Sequence, residues 1–293
     1  MVATSPIEPV RGEMVDIGGR RLHVVREGSR GPGPTVLFEA GAFGFSADWG
    51  VVQDRVAAQG LHTLSYDRAG LGLSDPGPQP RDGLALTRDL EALLAAAGED
   101  GPFILVGHSM AGSFLPLFAH RNPGRVAGLV LVDATPPEAV EDAAVRKVIT
   151  AFTVSTRIAG WGGQAGLYQP LAGTWLGDKI GLTPTASAEK RRAFASPRHN
   201  KWSAAEVREW MRTAQEARAL GPLNPDWPVA VITAGPVAVQ AGWKAIQAAP
   251  ARRAHKGYID DVEEAGHATL LGIRHAQAVV RGIDFVRDAA FGA

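Results

Sequence analysis

One serine stands among very small residues where two apolar segments meet. In FILVGHSMAGSFLPLF, residues 103–118, Ser109 is preceded by Gly107 and followed by Ala111 and Gly112. A serine hydroxyl is a weak nucleophile that needs a general base and oxyanion donors beside it. A sharp turn from a strand into a helix would expose such a side chain, and only small residues fit at a turn this tight. The pattern Gly-x-Ser-x-Ala therefore predicts a nucleophile, although a glycine-rich turn with an incidental serine is the alternative.

The segments around this serine must supply the sheet that holds it. Short apolar runs alternate with longer amphipathic segments along most of the chain. This alternation predicts an α/β fold with a mostly parallel sheet that is covered by helices on both faces. The predicted strands cover 15–25 (as a hairpin), 35–41, 61–67, 103–108, 126–134, 227–235 and 258–267. The predicted helices cover 49–60, 84–98, 110–120, 203–220, 243–249 and 270–290.

The rhythm changes between residues 135 and 225. No convincing strand pattern occurs there, and helical patterns dominate. We interpret 135–225 as a helical cap that is inserted into a core formed by 1–134 and 226–293. Its aromatic and large apolar residues predict an apolar lining over the nucleophile, although each alone is more typical of a buried core residue. These residues are Phe152, Trp161, Leu167, Tyr168, Trp175, Trp202 and Trp210.

Composition restricts the classes of function. The 293 residues include thirty basic and thirty acidic side chains and no cysteine. Balanced charge gives no global attraction for nucleic acid or an anionic membrane, and the lack of cysteine excludes disulfides and thiolate nucleophiles. Histidine and carboxylate spacings show no metal-binding motif. The start of the sequence does not resemble a signal peptide, and no apolar run approaches about 18 residues. We therefore expect no membrane span and a cytoplasmic location.

Five motifs resemble the α/β-hydrolase fold superfamily, in particular carboxylesterase-like serine hydrolases with a helical cap. They are FEAGAFG, SYDRAGLGLSD, VGHSMAG, GLVLVDATPP and EEAGHATLL, and they span nearly the whole chain. The resemblance implies that the general base is His267, which follows Gly266 in the loop after the last strand. It also implies an oxyanion hole formed by the backbone N–H groups of Met110 and Ala42. Relatives often carry His-Gly where this chain has Ala40-Gly41, so an ordinary loop is the alternative there.

The third member of the catalytic set is harder to assign. Most relatives place an acid just after the strand that here covers 227–235, but no carboxylate follows it. Asp133 ends the strand 126–134, where haloalkane dehalogenases place their acid, and the ends of parallel strands share one edge of the sheet. The resemblance thus favours Asp133 as the acid, with a loop-capping role as its alternative. Other candidates are a two-residue Ser–His device and four carboxylates before His267, namely Asp260, Asp261, Glu263 and Glu264.

Together these residues predict a serine hydrolase that cleaves an apolar, uncharged carboxylic ester through an acyl-enzyme. We expect no cofactor. The serine argues against epoxide hydrolase and haloalkane dehalogenase chemistry, because those relatives attack with a carboxylate. Lactonase, thioesterase, amidase and acyltransferase activities use the same mechanism and stay open, as do a hydroxynitrile-lyase-like enzyme and a receptor with an idle triad. The sequence does not define the oligomeric state.

Overall fold

The computed structural model describes residues 11–292, apart from the side chains of Ala159 and Val239. The first ten residues, on which the expectation about a signal peptide and the start of the 1–134 core segment depend, lie outside this range. Eight strands form one sheet in the order β1-β2-β4-β3-β5-β6-β7-β8. They are β1 (Glu13–Asp16), β2 (Arg21–Glu27), β3 (Thr35–Glu39), β4 (Thr63–Tyr66), β5 (Phe103–His108), β6 (Val126–Val132), β7 (Val229–Ala234) and β8 (Gly257–Val262). Only the β1–β2 and β2–β4 pairs are antiparallel.

Nine helices accompany these strands within the described residues. They are α1 (Gly50–Ala58), α2 (Gly83–Ala96), α3 (Leu115–Arg121), α4 (Ala143–Gln164), α5 (Pro184–Ala195), α6 (Pro197–Arg208), α7 (Trp210–Ala219), α8 (Val237–Arg253) and α9 (Ala276–Phe291). Four of them, α4 to α7, lie between β6 and β7 in the chain, and the segment 135–225 contains no strand. No helix in residues 11–292 is long and apolar enough to cross a bilayer.

Neighbouring side chains of the central strands pack on opposite faces of the sheet. On β3, Val36 and Phe38 join a core cluster with apolar residues of α1 and α9, whereas Leu37 joins one with α2 and α3. On β5, Ile104 and Leu105 divide in the same way. This alternation follows from the two-residue period of a strand, and it explains why these strands are apolar throughout. The predicted architecture, a mostly parallel sheet with helices on both faces, is confirmed.

Four predicted helices differ from the observed ones. The helix expected over 243–249 is longer and covers Val237–Arg253 as α8. The helix expected over 110–120 is a short 3₁₀ segment, Ser109–Ser113, followed by α3. Pro116 explains the break, because it has no N–H to donate to the carbonyl of Gly112 and is best tolerated in the first turn of a new helix. The helix expected over 203–220 is divided at Glu209 into α6 and α7. The last helix begins at Ala276 rather than at residue 270. Before it, the N–H of Ile273 donates to the carbonyl of Gly181, which lies in the chain between α4 and α5.

Candidate active site

Ser109 lies on the sharp turn that its small neighbours predict. It follows β5 directly, and its backbone adopts φ +56°, a left-handed conformation that costs energy for a residue with a side chain. A Cβ added at Gly107 would lie 2.4 Å from Leu115 Cδ1, and one added at Gly41 would lie 2.8 Å from Ser109 Cβ. The glycines are therefore required by the close packing of strand, turn and neighbouring loop, which fixes the serine in place.

His267 follows β8 and reaches Ser109 across the edge of the sheet. Its Nε2 lies 2.9 Å from Ser109 Oγ, and its Nδ1 lies 2.6 Å from Asp133 Oδ2. Because a carboxylate can only accept, the proton of the neutral imidazole lies on Nδ1, and Nε2 is left with the lone pair. The side chain of His267 is 53% exposed, so solvent reaches the base directly.

Asp133 follows β6 with φ +42° and is nearly buried. Its Oδ2 faces His267, while its Oδ1 accepts from Gln247 Nε2 at 2.9 Å and from the N–H of Ala234 at 3.3 Å. Burial raises the pKa of Asp133, but the hydrogen bond and charge of His267 and the two donors on Oδ1 outweigh it, so the pKa lies below its usual value. The carboxylate is thus held ionised with both oxygens occupied.

The other carboxylates considered for this role have different partners. Asp261 accepts from Thr233 and forms an ion pair with Lys244 at 3.0 Å. Asp260 pairs with Arg281 at 2.6 Å. Glu263 and Glu264 are exposed. Of the candidate acids in the sequence, Asp133 is therefore the one that the structure places on the imidazole of His267.

A second histidine supports the loop that carries His267. His108 Nε2 donates to the backbone carbonyl of His267 over 3.0 Å, and the two rings lie 4.5 Å apart. Burial and the neighbouring His267 lower the pKa of His108 to about 3, so its ring stays neutral. No sequence motif indicates this contact between His108 and the loop of the base.

The loop after β3 has its carbonyl groups bound by side chains from elsewhere in the fold. Arg68 donates to the carbonyls of Ala40 at 2.6 Å and Gly41 at 2.9 Å. Lys190, on α5, donates to the carbonyl of Phe43 at 3.1 Å. Phe43 itself has φ +57°. With its carbonyls turned to these cations, the loop can present N–H groups such as that of Ala42 toward Ser109, and Met110 lies in the first turn after the nucleophile.

Arg68 also forms a buried ionic network with two acidic residues. Its guanidinium is buried between Glu39 at 2.7 Å and Glu206 at 2.8 Å, and Tyr66 O–H donates to Glu39 at 2.5 Å. Asp67, next to Arg68 in the sequence, accepts from His23 and from Ser46 instead. Glu206 lies on α6, so this buried network joins the loop after β3 to the helical segment.

The aromatic residues of 135–225 occupy different environments. Trp210 is buried and donates to Ser113 Oγ at 3.0 Å, in an apolar cluster that includes Met110. Phe152 packs edge-on against Trp210 with ring centres 6.0 Å apart, and Trp202 lies on Gly70. Tyr168 stacks on Phe194. Trp161, Leu167 and Trp175 are exposed. Of the expected apolar lining, Trp210 and Phe152 thus lie near the nucleophile turn, whereas these three side chains face solvent.

No group of three or more His, Asp or Glu side chains within residues 11–292 is arranged to share a metal ion. The chemistry available at the carboxyl edge of the sheet is that of a hydroxyl, an imidazole and a carboxylate in one hydrogen-bonded line.

Curated proteins resemble parts of this chain in sequence. Among curated proteins, YqjL of Bacillus subtilis, described as uncharacterized, is 35% identical over 108 residues, which is 37% of this chain and 42% of YqjL. The sn-1-specific diacylglycerol lipase ABHD11 of Mus musculus is 34% identical over 104 residues, or 35% of this chain and 33% of the lipase. The matched segments thus cover less than half the length of each of these relatives.

Solved structures share the fold over nearly the whole chain. The enol-lactonase from Burkholderia xenovorans LB400 has a TM-score of 0.67 at 19% identity and covers 94% of this chain and 99% of its own. The Cif epoxide hydrolase from Acinetobacter nosocomialis has a TM-score of 0.70 at 17% identity, with coverages of 93% and 88%. A family model described as the alpha/beta hydrolase family matches residues 36–281. With the sheet, the turn at Ser109 and this match in agreement, the chain belongs to the alpha/beta hydrolase family.

Proposed function

We propose that the protein is a serine hydrolase of carboxylic esters, with Ser109 as nucleophile, His267 as general base and Asp133 as the acid. One observation carries the proposal. An unbroken hydrogen-bond line joins Ser109 Oγ to His267 Nε2 at 2.9 Å and His267 Nδ1 to Asp133 Oδ2 at 2.6 Å. These distances are those over which a base removes a serine proton and a carboxylate orients that base.

The reaction begins when Ser109 Oγ attacks the carbonyl carbon of the ester. His267 Nε2 takes the hydroxyl proton as the new C–O bond forms, and Asp133 stabilises the resulting imidazolium. The tetrahedral oxyanion accepts hydrogen bonds from the N–H groups of Met110 and Ala42. The imidazolium then donates its proton to the leaving alkoxide, and the acyl group stays on Ser109. A water molecule, deprotonated by the same imidazole, repeats the attack and releases the acid.

The oxyanion donors depend on the shape of the loop after β3. The bonds from Arg68 and Lys190 bind carbonyls of that loop that would otherwise be free to turn toward the substrate oxygen. A carbonyl in that position would repel the oxyanion, whereas removal of one N–H donor typically lowers turnover by about 10²-fold or more. The network around these two cations thus supports the assignment of the oxyanion hole.

Several features favour an uncharged ester as substrate. Met110 packs with Phe114, Leu117 and Trp210, and Ala42 and Phe43 border the same apolar cluster. Such surroundings favour an apolar acyl or alcohol group.

We further propose that 135–225 acts as a cap that selects the substrate, that no cofactor is required, and that the protein is cytoplasmic. The serine at position 109 argues against the carboxylate attack used by epoxide hydrolases, and lactone, thioester, amide and acyl-transfer reactions share the proposed mechanism.

Active-site labelling tests the assignment of Ser109 directly. We expect a fluorophosphonate to add once per chain, with the modified peptide containing Ser109, and p-nitrophenyl butyrate to give an initial burst equal to the enzyme concentration. Ser109→Ala should abolish both. Ser113→Ala is a suitable control, because its hydroxyl bonds to the carbonyl of Thr135 and does not contact His267. Labelling of Ser109 without turnover of any ester, lactone, thioester or amide would refute the hydrolase and favour a lyase or a receptor.

A further inference from the structure

Large exposed apolar side chains are concentrated in one stretch of the helical segment. Of the fourteen such side chains in the part of the chain that the structure describes, eight lie between residues 148 and 175. They are Val148, Phe152, Val154, Ile158, Trp161, Leu167, Leu171 and Trp175. We call the three that share one face of α4, namely Val154, Ile158 and Trp161, the apolar patch. Scattered apolar residues on a surface are normal, but a concentration of this kind indicates an interaction surface.

The patch is not needed for the packing of α4. Val154, Ile158 and Trp161 are spaced by four and three residues, so they share one face of the helix. The opposite face packs on α6, where Thr153 Oγ1 approaches the carbonyl of Val207 and a Cβ at Gly160 would lie 3.1 Å from Ala204 Cβ. Ile158 and Trp161 are 68% and 72% exposed. One side of α4 thus supplies the internal contacts, and the other side presents apolar groups to the surroundings.

The charged residues of α4 itself have one sign. No aspartate or glutamate occurs between residues 143 and 177, whereas Arg146, Lys147 and Arg157 lie in this stretch. An isologous contact between two copies of the chain would bring these cations together without acidic partners, which is unfavourable. A helix with an apolar face and flanking cations instead suits the boundary of an anionic bilayer, where the apolar groups enter the acyl region and the cations meet lipid phosphates.

A cleft beside the loop of His267 has a mixed lining. Trp175, which is 70% exposed, lies with its ring centre 5.1 Å from Lys179 Nζ. Both residues line a cleft of about 720 Å³ together with Gly266, the residue before His267, and with Asp178 and Glu264. Because of these two acidic residues, we do not count the cleft as part of the apolar patch.

We propose that the apolar patch docks the protein on an anionic lipid bilayer, with α4 lying along the interface. Docking goes beyond the proposed ester hydrolysis and does not depend on it, because the residues of the patch are separate from the Ser109–His267–Asp133 line. The cations of α4 attract the anionic surface within about a Debye length, and burial of Ile158 and Trp161 gives the bound state.

Co-sedimentation with vesicles tests docking in the full chain carrying Ser109→Ala, so that lipid turnover does not interfere. We expect binding to phosphatidylcholine vesicles that contain about 30 mol% phosphatidylglycerol, and binding at least about tenfold weaker to pure phosphatidylcholine. The double change Ile158→Ser and Trp161→Ser should weaken binding to the anionic vesicles by about tenfold or more. Phe291→Ser is the matched control, since Phe291 is 48% exposed but lies outside the patch.

A second pair of variants isolates the charge contribution. Lys147→Glu with Arg157→Glu should weaken anionic-vesicle binding by about tenfold, whereas Arg88→Glu, an exposed cation on α2, should change it little. Vesicle binding that is absent, that ignores lipid charge, or that survives loss of Ile158 and Trp161 would overturn the proposal. A dimer that these changes dissociate, without vesicle binding, would assign the patch to self-association instead. Ester turnover measured in parallel on a soluble substrate separates failure of docking from failure of the proposed function.

Discussion

Replacing Asp133 with asparagine changes one oxygen to an amide nitrogen, and the surrounding donors determine which one. Oδ1 accepts from Gln247 Nε2 and from the N–H of Ala234, so the carbonyl oxygen of the asparagine must stay on that side. Its NH₂ group then faces His267 Nδ1 in place of Oδ2. Because the amide donates, Nδ1 has to accept, and the imidazole proton moves to Nε2. The tautomer that results cannot take the proton of Ser109.

The size of the effect can be worked from the same geometry. At an effective dielectric constant of about 20, opposite unit charges about 4 Å apart attract by about 4 kcal/mol. The side chain of His267 is 53% exposed, so solvent screens the interaction and about 2 kcal/mol of imidazolium stabilisation is lost. To react, the imidazole must move its proton back to Nδ1. It then loses the hydrogen bond between Nδ1 and the asparagine amide, which costs about 2 kcal/mol more. Together these losses predict that kcat/KM falls by about 10³-fold.

The assay measures initial rates and burst amplitudes on p-nitrophenyl butyrate. Urea unfolding of the same samples measures their stability. Asp133→Asn should unfold near the wild-type midpoint, because the two donors on Oδ1 keep their acceptor. Asp261→Asn is the matched control, since it loses its ion pair with Lys244 and should keep most activity. If Asp133→Asn retained more than about a tenth of wild-type kcat/KM, Asp133 would not be the acid, and a two-residue Ser–His mechanism would be favoured.

Three further changes extend these tests. Gln247→Leu removes one of the two donors that hold Asp133 Oδ1, so kcat/KM should fall about tenfold with little change in the unfolding midpoint, whereas a wild-type rate would contradict this positioning. Lys190→Met removes one of the two donors to the carbonyl of Phe43, the other being His199 Nε2 at 3.3 Å, so kcat should fall up to about tenfold at nearly constant KM, and Lys190→Arg should restore part of it. His199 has a pKa lowered to about 3 by burial and by Lys190, so the unfolded chain binds a proton that the folded chain does not between pH 6.5 and about 3. Stability should therefore fall on acidification by about 1.4 kcal/mol per pH unit from this group, and urea titrations of His199→Gln between pH 4 and 7 should show a shallower slope.

The order of the strands was predictable because β3 to β7 are buried on almost every residue and are therefore mostly apolar. The ends of helices were less accessible. Pro116 is a local signal for the restart at Leu115, since a proline suits the first turn of a helix. Glu209, where α6 ends and α7 begins, has no such signal. The bond from Ile273 N–H to the carbonyl of Gly181, just before α9, is a tertiary contact that local propensity does not reveal.

In the candidate site as well, the sequence indicates some residues, whereas the contacts of others are visible only in the structure. Ser109 belongs to a short motif in which Gly107 has a local steric reason, and the family resemblance implied its pairing with His267. The partners of Arg68 could not be expected from sequence, because Glu39 and Glu206 lie 29 and 138 residues away and the pairing depends on how α6 packs. Likewise, Gln247 is one of many polar residues on α8 until the structure places its amide on Asp133.

The position of the acid has a physical consequence for the neighbouring strand. A buried carboxylate that orients a base must have its other oxygen satisfied, or its pKa rises and it loses its charge. Asp133 projects from the end of β6, and both donors to its Oδ1 belong to the adjacent parallel strand and its helix, namely the last residue of β7 and Gln247 on α8. The segment after β7 thus carries no acid but supplies the groups that keep the acid of β6 ionised. An acid after β6 and a buried amide on α8 form one unit, and we expect loss of either to impair the same step of catalysis.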